Sequence, residues 1–230
     1  MKMLALLCFS FFLLYAQKIE SKQLLVVTSQ TWEAPIAVLE RYELHHGKWK
    51  KAGDAIEVKI GRNGMGWGLG LHKVPNSAVY IKKEGDGKSP AGIFKLKQGF
   101  GYTPLKSAYP YIVYKETDHC VDDVNSKFYN QIVDSTAVEK EYQSYEVMKF
   151  PKNYYKYGIV VAHNAQKKKG AGSCIFIHIK DVPTAGCTVM SEKQMKELLL
   201  WLDPAANPLL IQAPKEEIKK LLEEISFFES

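Results

Sequence analysis

As far as about residue 180 the chain is a series of short apolar stretches divided by turn residues, the pattern of a protein built mainly from strands. Residues 24–28 read as a strand. Residues 36–44 and 55–60 flank a turn at His45-His46-Gly47-Lys48 and are expected to pair as a hairpin. Residues 91–96 follow a turn cluster, Glu84-Gly85-Asp86-Gly87-Lys88-Ser89-Pro90, and read as a short strand. Between 102 and 157 the chain is rich in Tyr, Asp and Asn with little periodicity. Long loops with short helices are expected there, of the kind that wall a cleft. Residues 158–162 and 175–179 are again strands, the second alternating as Cys174-Ile175-Phe176-Ile177-His178-Ile179.

A helical period takes over near the end. Ser191 with Gln194 three positions on forms a capping box, and Met195, Leu198, Leu199 and Leu202 make one apolar stripe that Asp203-Pro204 closes. Residues 209–212 read as a last strand. Pro214 opens a second amphipathic stretch over 214–230, with Ile218, Leu221, Leu222 and Ile225 on one face, which packs on the domain. No internal repeat or linker interrupts the chain, so a single mature domain is expected.

The first residues stand apart from that core. Lys2 precedes an almost unbroken apolar run over residues 3–16, with only Ser10 polar: a charged n-region and an h-region. The run is short for a membrane span. A cut after Ala16 is expected, with a retained anchor as the alternative. Cys8 lies inside the run, the wrong place for lipidation. No later segment is apolar enough to cross a bilayer, so residues 1–16 read as a signal peptide and the mature protein as soluble and exported, to the periplasm or cell envelope. Its loss takes the formal charge from +6 to +5, because Lys2 goes and no acid does. A mildly basic exported protein tolerates an anionic surface or substrate. The lysines are scattered, and Lys167-Lys168-Lys169 sits in a Gly-flanked loop, so nucleic acid is not an expected partner. The sequence is silent on oligomeric state.

Three cysteines remain after processing: Cys120, Cys174 and Cys187. Export permits disulfides, and an odd count leaves one thiol unpaired within the chain. A Cys120–Cys174 bridge would leave Cys187 free; the sequence does not choose among the pairings. His178 and Cys187 lie nine positions apart, joined by a loop ending Thr184-Ala185-Gly186-Cys187. Cysteine reacts as the thiolate, His178 can take and return the proton, and Gly186 lets the backbone bend so that N–H groups near Ala185, Gly186 and Cys187 face one point as oxyanion donors. A third group should orient the imidazole: a backbone carbonyl near Ile179, or a side chain such as His163. Cys174, His178 and Cys187 are also conceivable zinc ligands, yet no CxxC pair or fourth residue at a familiar spacing completes such a site. The run Gly61-Arg62-Asn63-Gly64-Met65-Gly66-Trp67-Gly68-Leu69-Gly70 has the look of a phosphate-binding loop, but no Lys-Ser/Thr pair and no helix follow it, and it reads better as a tight turn or close packing. Neither a metal nor another cofactor is expected. Asp122 and Asp123 are expected to cap a turn, since adjacent acids rarely converge on one bond.

The strand ending in Ile177-His178, the loop, and Thr184-Ala185-Gly186-Cys187-Thr188-Val189-Met190 resemble the catalytic motif of the L,D-transpeptidase (YkuD-like) family, in its exported branch. Gly61-Arg62-Asn63-Gly64, Asp86-Gly87-Lys88-Ser89-Pro90-Ala91-Gly92-Ile93-Phe94, Cys120-Val121-Asp122-Asp123 and Ala162-His163-Asn164 look like the same family. The resemblance covers about residues 55–213, with 17–54 as N-terminal strands of the same domain. It implies a mainly β fold, an L,D-transpeptidase-like β-sandwich with flanking helices and a C-terminal helix. It also implies Cys187 as nucleophile, His178 as general base and acid, and the carbonyl of Ile179 as the orienting group. His163, Asn164, Thr184 and Gly186 become expected substrate contacts, the backbone of Gly186 and Cys187 the oxyanion site, and peptidoglycan stem peptides the partner. The commoner family form has Gly after the His and Arg two residues after the Cys; here Ile179 and Val189 stand there.

Overall fold

The computed structural model describes residues 18–149 and 152–228; the predicted export segment, residues 1–16, lies outside them. Fourteen strands and two α-helices follow in the order β1 (Gln23–Ser29), β2 (Ile36–His45), β3 (Lys48–Lys51), β4 (Ile56–Lys59), β5 (Met65–Trp67), β6 (Ser89–Gly101), β7 (Tyr111–Val113), β8 (Asp118–Val121), β9 (Gln131–Asp134), β10 (Tyr145–Val147), β11 (Gly158–Val161), β12 (Phe176–Ile179), β13 (Thr188–Met190), α1 (Glu192–Trp201), β14 (Leu209–Pro214) and α2 (Lys215–Glu223). The protein is mainly β, as the alternation predicts. The principal sheet runs β1-β14-β6-β11-β12-β13-β4-β2-β3, and β1 also pairs β2, so the sheet curls round and closes on itself. The two layers expected of a sandwich are thus opposite sides of one continuous sheet.

Apolar side chains of those strands fill the interior and pack under the helices on the outer face. Leu24, Leu25, Val27, Ile93, Phe94, Ile159, Ile177, Leu209 and Ile211 are fully buried in one cluster with Met195, Leu198 and Leu199 of α1. Each such side chain contributes roughly 1.5–3 kcal/mol by leaving water. Strand β1 is buried along both faces, because α2 packs against β14 and β1 on the outside. That explains its unbroken apolar run. Helix α1 starts where the capping box predicts: Ser191 Oγ accepts from Gln194 N, and the Gln194 side chain accepts from Ser191 N. Of the helix expected over 214–230, Lys215–Glu223 is helical with Leu221 buried, and Ile225 is buried just past its end. Residues 17–54 contribute β1, β2 and β3 to the principal sheet.

One local expectation is extended and another changes. The turn at His46-Gly47, both with positive φ, joins β2 to β3, and β4 pairs the same edge of β2 farther along, with Ile36 opposite Lys59 and Leu39 opposite Ile56. The expected pairing of 36–44 with 55–60 is therefore present, and Lys48-Trp49-Lys50-Lys51, too polar to register as a strand in the apolar pattern, completes the returning arm next to the turn. Among its described residues the segment 102–157 holds a second sheet, β10-β8-β9, and one short helical turn, Asn153–Tyr155, in place of the expected loops with short helices. The Gly-rich segment is the close packing expected of it: Gly64 has φ +74°, and a Cβ there would lie 1.9 Å from the Trp32 carbonyl oxygen.

The second sheet is fastened to the outside of the first. Cys120 in β8 is disulfide-bonded to Cys174 just before β12, closing a loop 54 residues apart in sequence. A second apolar cluster, Phe100, Tyr114, Met148, Tyr155, Val160 and Phe176, surrounds that bridge and includes Cys187. Asn130 fixes the same corner: its side chain donates to the carbonyls of His163 and Asn164 and accepts from Cys174 N.

Candidate active site

Strands β12 and β13 are parallel neighbours with Ile177 opposite Thr188 and His178 opposite Val189. The connection between them, residues 180–187, is shorter than the dozen or so residues a parallel crossover usually takes. It is held in place by its neighbours. Thr184 N donates to Ile60 O, Arg62 N donates to Thr184 O, and Ser89 Oγ donates to Gly186 O. One step back from the register pair, Cys187 lies beside Phe176, whose N–H donates to Cys187 Sγ at 3.3 Å. His178 is two residues on from Phe176 and so projects from the same side of the sheet. Thiol and imidazole therefore line one cleft of about 380 Å³, with Tyr145, Glu146, Val147, Tyr154, Tyr155, Lys180, Thr184 and Ala185. Cys187 is the free cysteine among the described residues.

The imidazole is aimed by backbone. Nδ1 of His178 lies 3.1 Å from the Ile179 carbonyl and 3.3 Å from that of Tyr154. Two carbonyl acceptors fix the proton on Nδ1 and leave Nε2 as the basic nitrogen. The Tyr155 ring meets the imidazole edge to face at 4.9 Å. Burial, opposed by those carbonyls, pushes the pKa of His178 down to about 4. Burial, and next the negative charge of Glu146, pushes the Cys187 thiol well above its ordinary value. The resting pair is therefore thiol and neutral imidazole, with Sγ turned toward Cys174 O at 3.5 Å.

Thr184 sets the loop. Its Oγ1 donates to Cys187 O at 2.6 Å and accepts from Gly186 N at 3.0 Å. That corrects one expectation: the Gly186 N–H is already engaged, which leaves the N–H groups of Ala185 and Cys187 as candidate oxyanion donors. Nor does Gly186 supply an unusual bend. It is needed for close approach, since a Cβ there would sit 3.1 Å from Ile175 Cδ1 and from Lys88 O.

His163 and Asn164 are also placed differently from the expectation. Both are buried and lie outside the cleft that holds Cys187. His163 Nδ1 accepts from Leu69 N, and its Nε2 lies 2.9 Å from Ala171 O. Asn164, at φ +51°, donates to Lys168 O and Gly172 O and accepts from Lys168 N. Their hydrogen-bonding capacity is spent on the 164–172 loop, as strand-end residues often spend it. The alternative zinc set loses a thiolate, because Cys174 is bridged to Cys120.

Sequence reasoning misses Glu146. It sits in β10, half-buried on the cleft wall, and accepts a hydrogen bond from Tyr155. Burial is the main cause that lifts its carboxyl to about 7, with Asp122 and Glu84 adding to it and Tyr155 and Lys180 opposing. The only sequence signal is a charged residue between Tyr145 and Val147 in a segment read as loop.

His72, His163 and His178 are all buried, and burial holds each near pKa 4. Below about pH 6.5 the unfolded chain takes up protons that the folded one refuses, so stability falls with acid down to about pH 4. Each histidine accounts for at most about 3 kcal/mol. Glu146, raised to about 7, works in the opposite sense over the same window and offsets part of this. Chemical denaturation at pH 7.5 and pH 4.5 is expected to show a net loss of several kcal/mol, and equal stability at the two pH values would contradict it.

No protein-family model and no curated protein matches the chain. Two solved structures do: the helical cell shape determining protein Pgp2 from Campylobacter jejuni and its K307A mutant. Each is 15% identical over 86% of this chain, with TM-scores of 0.40 and 0.41. The chain spans about half of their length, 49% of each.

Proposed function

We propose that this chain is an exported cysteine acyltransferase of the L,D-transpeptidase kind, acting on peptidoglycan stem peptides. The observation that carries the reading is the shared cleft: Cys187 and His178 leave one side of the β12–β13 pair, and His178 Nδ1 is committed to the Ile179 carbonyl. Cys187 Sγ attacks the carbonyl joining a diamino acid to a terminal D-residue while His178 Nε2 takes the thiol proton. The N–H groups of Ala185 and Cys187 receive the oxyanion. The C–N bond breaks, His178 gives its proton to the leaving amine, and a thioester remains on Cys187. The amine of a second stem attacks that thioester, the C–S bond breaks, and the thiol recovers a proton by way of His178. If water attacks instead, the product is the shortened stem, and the protein is an L,D-carboxypeptidase.

The neutral resting pair fits a thiol that ionises only as substrate displaces water. A second reading, a non-catalytic wall-binding domain, draws on Val189, which is fully buried where the family's common form carries Arg. Product analysis separates them. Mature protein incubated with a tetrapeptide stem is expected to release the terminal D-residue, with a crosslinked dimer from amine attack or a tripeptide from water. Binding without release of that residue would favour the wall-binding domain.

A further inference from the structure

We propose that Glu146 is a specificity residue that receives an ammonium group of the acyl donor in the Cys187 cleft. The inference rests on the acyltransferase reading and adds the chemistry by which the donor is chosen.

The geometry comes first. Glu146 and Cys187 line the same cleft, whose volume of about 380 Å³ suits a diamino-acid side chain beside the scissile bond. Tyr155 holds one carboxylate oxygen, Oε2, and leaves Oε1 as the acceptor for a ligand. The same Tyr155 ring packs against His178, so the carboxylate and the imidazole are placed by one side chain. Glu146 has no ion-pair partner among the described residues: Lys180 lines the cleft as well, but the pair is not within salt-bridge distance. An unpaired carboxylate on a half-buried wall is costly, and a bound cation removes that cost.

The surrounding charges point the same way. Glu84 and Asp122 act on Glu146 from nearby segments and add negative potential; Lys180 opposes them, and the remaining ionisable groups of the wall are Tyr145, Tyr154, Tyr155, His178 and Cys187. Recognition is also coupled to reactivity. The charge of Glu146 is one of the two causes that hold the thiol in its neutral form. An ammonium paired with Glu146 cancels that influence, so the correct donor eases thiolate formation when it binds. A donor lacking the cation leaves the carboxylate unpaired and the thiol protonated.

The test compares two synthetic tetrapeptide donors that differ only in the side-chain amine of the diamino acid, free or N-acetylated. At pH 8 the wild-type protein is expected to favour the free amine about tenfold or more in kcat/KM, with part of the difference in kcat. In Glu146→Gln that ratio should fall to about two or less. In the wild-type protein it should also shrink as pH falls through 7, a readout that needs no variant. Turnover of both donors at equal efficiency by wild type, or an undiminished ratio in Glu146→Gln, would overturn the proposal while leaving the acyltransferase reading intact. If neither donor is turned over, the acyltransferase reading fails. Calorimetric titration of both peptides into Cys187→Ala then still decides the ammonium site: tighter binding of the free amine, lost on adding Glu146→Gln, supports it, and equal binding overturns it.

Discussion

Replacing Cys187 by Ala is expected to lower turnover of a stem-peptide donor by at least about 10³-fold, because no other described side chain in the cleft is a sulfur nucleophile. The substitution is not structurally silent. Sγ accepts from Phe176 N–H in a buried place, and losing an acceptor for a buried donor costs about 1–3 kcal/mol. For a domain of this size that corresponds to a melting temperature lower by roughly 2–12 °C. The protein should therefore fold, with its two sheets and the Cys120–Cys174 bridge in place. Cys187→Ser separates the effects: it keeps an acceptor for Phe176 N–H and regains part of the stability, yet stays inactive, since a buried hydroxyl ionises far less readily than a thiol. Steady-state release of the D-residue and thermal melts of the three proteins check this. Unchanged turnover in Cys187→Ala would remove the enzyme assignment.

His178→Gln is expected to cost about 10²–10⁴ in kcat/KM, the range for loss of a general base and acid. The Gln amide stands nearer the place of Nε2 than of Nδ1, so the contacts to the carbonyls of Ile179 and Tyr154 weaken, while the fold, held by the surrounding strands, should persist. The pH profile distinguishes proton transfer from mere packing. With the imidazole present, the thiol proton has an acceptor in the cleft, and alkylation of Cys187 by iodoacetamide should proceed at neutral pH. With Gln there, alkylation should wait for direct ionisation of a thiol that burial and Glu146 hold high, moving the rate profile to more alkaline pH. Coinciding profiles for the two proteins would mean that His178 takes no part in activating the sulfur.

Much of this was legible in the chain because local rules and tertiary structure agree. The capping box at Ser191-Gln194, the stripe from Met195 to Leu202 and the alternation leading to His178 each carry their own physical cause, and each appears where predicted. The closure of the sheet was not legible, because the pairing of β1 with β14, Leu24 opposite Leu209, joins residues far apart in sequence, and periodicity carries no information about partners. Segment 102–157 read as loop because β8, β9 and β10 are only three or four residues long and carry polar groups such as Glu146, with β9 and β10 half-buried. At the site, the Cys–Gly–His spacing marked the reacting pair, but spacing cannot tell which N–H groups are already engaged. Thr184 takes that of Gly186, and His163 and Asn164 serve their own loop. Glu146 comes to the cleft only through the second sheet, which the Cys120–Cys174 bridge and the Asn130 hydrogen bonds help to fasten.

The covalent step offers the most direct measurement. Mature protein is mixed with a tetrapeptide stem, quenched in acid within a few turnovers, and weighed intact before peptide mapping. The account predicts an added mass equal to the donor less the released D-amino acid, that is, the shortened peptide minus one water, carried as a thioester on the peptide that contains Cys187 and cleared by hydroxylamine. Product formation with no adduct at that sulfur, or with an adduct on another residue, would contradict it.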